Sequence, residues 1–165
     1  MENLNFRGMT MSHVNAGLVA GTTSTYTTTA STACSINGKW ATALTAQTNT
    51  ASPTTDASTG AAFVALTDNQ ATVLVWGVNA AGAIKLCQGT IVPTAVGVTT
   101  TAGAFLNAPD FPVLPDDFCP IGYQLVRTAP SAADFTPGTS SWTATGITAS
   151  TIQNVSVLPA RPQTA

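Results

Sequence analysis

The sequence predicts an all-β protein, an antiparallel β-sandwich or partly closed barrel with an extended N-terminal arm. Three observations predict it. Glu occurs once and Lys twice in 165 residues, and no window of about twelve residues carries an apolar stripe at helical spacing beside a charged face. Threonine and valine are dense, and their branched Cβ suits a pleated strand. Turn residues, 13 Gly and 10 Pro, punctuate short apolar runs at intervals that suit strands.

Residues 1–21 are read as an arm that orders on a partner, with Leu4, Phe6, Met9, Met11, Val14, Leu18 and Val19 as its anchors. Met9 to Leu18 offers one or two helical turns at most, with Ser12 as N-cap, but Gly8, Gly17 and Gly21 interrupt it. Residues 22–158 form a single β-domain and 159–165 a C-terminal tail. Within the domain, Thr22 to Ala30 is a threonine-rich strand. Ala33 to Leu44 is a hairpin around Asn37-Gly38, the dipeptide that best accepts the two positive φ values of a type I′ turn. Gln47 to Gly60 has almost no apolar content and is expected to be a polar loop.

Phe63 to Leu66 resumes an extended stretch, and Ala71 to Val78 is the most apolar segment, too short for a buried helix and therefore a central strand. Asn79 to Gly82 turns the chain into an antiparallel return over Ile84 to Val92. Pro93 and prolines 109, 112, 115 and 120 place the following segment along an edge or over the sheet, because proline donates nothing to a ladder. Ile121 to Thr128, with Ile121, Tyr123, Leu125 and Arg127 on one face, and Gly146 to Leu158 supply the last strands, giving six to eight in all.

Charge restricts the function. Five Lys+Arg and seven Asp+Glu make 7% of the chain, against about 25% in an average domain. Too few cations are present to neutralise a phosphate backbone, which argues against nucleic acid as a partner. A folded chain of this mass exposes about 7,600 Å², and a surface so poor in ionic groups resists association weakly. It is therefore expected to lie against other subunits. No run approaches the roughly 20 apolar residues of a membrane helix, and the N-terminus has no basic region followed by an apolar one, which argues against Sec export.

The residues of catalysis are sparse. His13 is the single histidine, so a Ser-His-Asp or Cys-His set would depend on it, and no Gly-x-Ser-x-Gly elbow is present. Asp116 and Asp117, near Asp110, are adjacent on an extended chain, where neighbouring side chains point to opposite faces. They are read as a turn between prolines. No phosphate loop or dinucleotide fingerprint occurs, so no catalytic, cofactor or metal site is expected. Cys34, Cys87 and Cys119 never form C-x-x-C. They are either buried thiols or, the count being odd, candidates for a crosslink between chains outside a reducing cytosol. Trp76 belongs to the core or an interface, whereas Trp142, between serine and threonine, is expected to be the most exposed tryptophan.

The run Val73-Leu-Val-Trp-Gly-Val-Asn-Ala-Ala-Gly-Ala-Ile84, followed by Phe111-Pro-Val-Leu-Pro-Asp-Asp-Phe-Cys-Pro-Ile-Gly-Tyr123 and a final strand ending at Leu158-Pro159, resembles small virion structural proteins of tailed bacteriophages of the head decoration, cement or head-fibre type. Asp117 stands where that group often has glycine, and Cys119 where it has an unreactive residue. The resemblance implies β-rich subunits, often homotrimers, made in the host cytoplasm and bound to the outer capsid surface, where they bridge neighbouring major capsid proteins without catalysis. The alternatives are a receptor- or glycan-binding tail-fibre module presenting Trp40 and Trp142, or another tail or neck component.

Overall fold

A computed structural model describes residues 9–163. The fold is all-β: one six-stranded sheet and two three-stranded sheets, none closed on itself, pack as an open sandwich. The described residues form twelve strands, several of only two or three residues: β1 Met11–Ser12, β2 Leu18–Ala20, β3 Thr25–Thr28, β4 Cys34–Ile36, β5 Lys39–Trp40, β6 Gln47–Ala51, β7 Gln70–Asn79, β8 Ile84–Gln88, β9 Val92–Pro93, β10 Phe118–Thr128, β11 Ile147–Ala149 and β12 Gln153–Asn154. No membrane-spanning length of apolar helix occurs among the described residues.

β7 and β10 are the spine. They pair antiparallel over nearly their whole length, with β8 and β9 on the far side of β7, and β11 and β12 on the far side of β10. Both faces of β7 are buried, which is why Ala71 to Val78 reads as an unbroken apolar run rather than an alternation. Leu74, Trp76 and Val78 face one core, shared with Leu18, Tyr26, Ile36 and Phe135. Val73 and Val75 face a second core under Phe105, Phe111, Leu114, Val155 and Leu158. The first face is covered largely by the two small sheets, β1-β4-β5 and β2-β3-β6; the second is covered mainly by loops and the C-terminal stretch.

β10 departs from simple alternation. Its register against β7 slips between Pro120 and Gly122, where a proline without an N–H is tolerated because the ladder is already broken. The slip inverts the phase of the strand. Cys119 and Ile121 belong to the first core, whereas Tyr123 and Leu125 belong to the second. The expected single face of Ile121, Tyr123 and Leu125 is therefore split, and the strand starts earlier than expected, at Phe118.

The expected arm is not an arm over the described residues. Met11 pairs with Ser35 in β1–β4, Leu18 pairs with Thr28 in β2–β3, and the Leu18 side chain is fully buried. Apolar Leu18 and Ala16 are core residues, so burial fixes this segment within the domain. Met11 is half-buried, and Met9, Val14 and Val19 are exposed. Leu4 and Phe6 lie outside the described residues. The short helix between Met9 and Leu18 is not formed; two strands stand in its place.

The expected polar loop after Gln47 begins instead with β6, which pairs with β3. Its backbone is held partly by hydroxyls: Gln47 N–H donates to Thr28 Oγ1 (2.9 Å) and Asn49 N–H to Thr27 Oγ1 (3.0 Å). An exposed edge strand needs no apolar face, so hydrophobic periodicity could not reveal it.

Side-chain amides also join backbones. Asn154 of β12 accepts from Leu18 N–H (2.7 Å) and donates to Leu18 C=O (3.0 Å), linking the central sheet to β2. Gln88 does the same for Val64, at 2.9 and 2.8 Å, and so occupies the end of edge strand β8. Asn154→Ala leaves both polar groups of buried Leu18 without these partners and is expected to cost about 1–3 kcal/mol, read as a lower denaturant midpoint with an unchanged slope. An unchanged midpoint would show that water replaces the amide at no cost.

Candidate functional site

The described residues hold no group of three His, Cys, Asp or Glu side chains placed to share a metal ion. His13 is exposed, its Nε2 3.1 Å from Ser35 Oγ and its ring 4.9 Å from Trp40. Asp116 and Asp117 form the corner of a turn in which Phe118 N–H donates to Pro115 C=O (3.2 Å), and both are exposed. The features that stand out are two exposed surfaces rather than convergent titratable groups.

The first surface is a projection between β9 and β10. From Leu86 to Pro109 the sequence has no charged residue. Within it the chain folds back on itself: Ala95 N–H donates to Ala104 C=O (2.9 Å), and Val98 and Thr101 exchange hydrogen bonds of 3.0 and 2.7 Å across the tip. Arg127 ties its base down, donating from Nη1 to Gly103 C=O (2.9 Å) with its guanidinium 5.4 Å from the Phe105 ring centre. Phe105 turns inward against the second core, whereas Val96 and Val98 point out at 81% and 75% exposure. Leu106 and Val113 farther along the same connection are exposed as well.

The second surface is a groove of about 340 Å³ beside the β4–β5 hairpin, lined by Ile36, Asn37, Lys39, Trp40, Asp116 and Asp117. The hairpin forms as expected. Asn37 and Gly38 take φ values of 51° and 76°, the type I′ combination that sterics permit most readily in Asn-Gly. The turn sets Trp40 opposite Ser35, and Asn37 Nδ2 donates to the Asp116 carbonyl (3.2 Å), fastening the hairpin tip to the acidic turn. Trp40 remains 76% exposed.

Trp142 corrects the expectation made for it. It is buried, its Nε1 donates to Thr25 C=O (3.0 Å), and its ring lies 5.9 Å from Trp76 and 5.5 Å from Phe135. The hydrophilic neighbours Ser141 and Thr143 sit in a turn and say little about the ring, which points inward. Trp76 is fully buried, as expected.

All three cysteines are buried, so none is presented for the crosslink between chains considered from sequence. Cys87 lies in the second core, and burial, then the Asp56 carboxylate, pushes its thiol up to about 12. Cys34 and Cys119 both lie in the first core, where Cys119 Sγ faces the Pro120 carbonyl at 3.8 Å. Their sequence separation gave no sign of this.

The chain matches no protein-family model, no curated protein and no solved structure.

Proposed function

We propose that the protein is a non-enzymatic structural subunit of a tailed-phage virion, a decoration or cement protein that binds the outer capsid and bridges major capsid proteins, as a homotrimer. The observation that carries the reading is the uncharged projection with Val96 and Val98 at its end. Exposed apolar side chains on a tethered, ion-free loop suit a lasting protein contact, whose buried centre is depleted of charge. Five basic and seven acidic groups in the whole sequence, against a surface of 8504 Å², support the same reading. A subunit that binds only the assembled shell stabilises it by mass action.

The test is attachment to intact particles of the parent phage. Wild-type protein is expected to co-sediment with shells, and the double variant Val96→Asp, Val98→Asp to attach at least about tenfold more weakly, a loss of about 1.4 kcal/mol or more, with its melting temperature unchanged. Wild-type protein that ignores shells would overturn the proposal.

A second reading, glycan binding by a tail-fibre module, is favoured by one observation. Trp40 presents an open aromatic face next to Asp116 and Asp117, groups able to accept hydrogen bonds from sugar hydroxyls, whereas buried Trp142 cannot take part. Glycan binding abolished by Trp40→Ala, together with no attachment of wild-type protein to shells, would decide for this reading.

A further inference from the structure

Arg127 has more donors than the fold uses. A guanidinium carries five N–H groups in a planar fork, and one of them goes to the Gly103 carbonyl (2.9 Å). The group also lies over the Phe105 ring, 5.4 Å from its centre. These contacts hold the half-buried side chain in place, so a ligand would not have to order it.

Arg127 lines a pocket of about 130 Å³ at the outer end of β10, with apolar Leu125 and Phe105 in its wall. Beyond the slip in β10, Tyr123, Leu125 and Arg127 alternate onto one face of the strand. Thr148 of β11 stands opposite Arg127, and Gln153 of β12 opposite Tyr123, which brings both onto that same face. The Ser150 hydroxyl is engaged, accepting from Leu125 N–H (3.0 Å) and donating to Thr151 C=O (3.2 Å). Thr148, Gln153 and Gln163 complete the wall, and no carboxylate lines it.

We infer that this pocket binds a short hydroxylated carboxylic acid, its carboxylate on the Arg127 fork and its hydroxyl groups on Thr148, Gln153 and Gln163. A permanently charged guanidinium with no acid in the pocket wall selects an anion, and the fork matches a planar carboxylate at two points. A doubly charged phosphate would find a single cation here. The hydroxyl and the two amides both donate and accept, as hydroxyl groups do, and a plain carboxylate would leave them unused. Size limits the rest of the molecule: pockets for drug-sized ligands measure about 300–1,000 Å³, so this one admits only a short chain. The inference does not depend on the virion reading.

The test is an NMR titration of the isotope-labelled full chain with glycerate, with propionate, which lacks the hydroxyls, and with glycerol, which lacks the carboxylate. Glycerate is expected to give saturable shifts centred on the Arg127 side chain, Thr148 and Gln153. Propionate should bind about threefold more weakly or worse, and glycerol should not compete. Arg127→Lys keeps the charge and removes the fork, and should weaken glycerate at least about tenfold. Because Arg127 also ties down the projection, Thr148→Val provides the independent variant: glycerate should fall toward the affinity of propionate, while propionate binding stays as it was. Absence of saturable glycerate binding, equal affinity for glycerate and propionate, shifts centred elsewhere, or a Thr148→Val variant that binds both acids like wild type would each overturn the inference. Tighter binding of N-acetyl-aspartate α-amide than of glycerate would overturn it in favour of an acidic side chain from a partner protein.

Discussion

Trp142→Ala is expected to destabilise the fold by about 3–5 kcal/mol, the cost of truncating a large buried aromatic side chain. The indole stands between Trp76 and Phe135 and is the partner of the Thr25 carbonyl on β3. Its loss leaves a cavity at the centre of the first core and an acceptor without its donor. Against a total stability of about 5–15 kcal/mol, most of the margin is removed. Trp40→Ala supplies the contrast: that ring is 76% exposed, and its removal should stay within about 0.5 kcal/mol. Urea denaturation of the two variants checks both, and equal effects would contradict the burial difference on which the core description rests.

Gly77→Val should lower stability by about 3 kcal/mol although it replaces a poor strand former with a good one. Propensity favours valine by about 1 kcal/mol at most. Sterics oppose it: a Cβ at Gly77 would lie 2.3 Å from two atoms of the Phe118 ring and 2.6 Å from the Cys119 carbonyl oxygen. Phe118 is buried in the second core, and the Cys119 backbone is held in the register of β10. Neither can move without unpacking the spine, and overpacking of this kind costs about 1–3 kcal/mol or more. A melting temperature lower by roughly 6–12 °C is expected. In the background Phe118→Ala the additional cost of Gly77→Val should shrink, since half of the collision is gone, and a cost unaffected by Phe118 would place the strain elsewhere.

What was legible in the sequence follows from which forces leave a local trace. The apolar run of β7 and the Asn37-Gly38 turn are decided within a few residues, and both stand where the residues put them. The burial of both faces of the spine was implied by the lack of alternation from Ala71 to Val78. The phase change in β10 was hidden, because a slip at Pro120 and Gly122 is a relation between two strands rather than a property of one. β6 was hidden because its partner atoms are Thr27 and Thr28 hydroxyls, and β1 and β2 because short runs broken by glycine resemble a tether until Leu18 finds its core. Of the site, the lack of charge between Leu86 and Pro109 is visible by eye. That the stretch folds back was hidden, because its anchors come from elsewhere in the chain: Arg127 of β10 on the Gly103 carbonyl and Asn69 on the Gly97 N–H. That Cys34 and Cys119, from different sheets, share the first core is likewise a product of layer packing.

The clamps at Asn154 and Gln88, and the threonine hydroxyls that hold β6, share one chemical property: every donor and acceptor in them is neutral. Dissolved ions screen charges, and here they find almost none to screen. Fastening by amide and hydroxyl thus makes the grip between strands and layers nearly indifferent to the salinity of its surroundings, a useful trait for any assembly that must stay closed from cell interior to dilute open water.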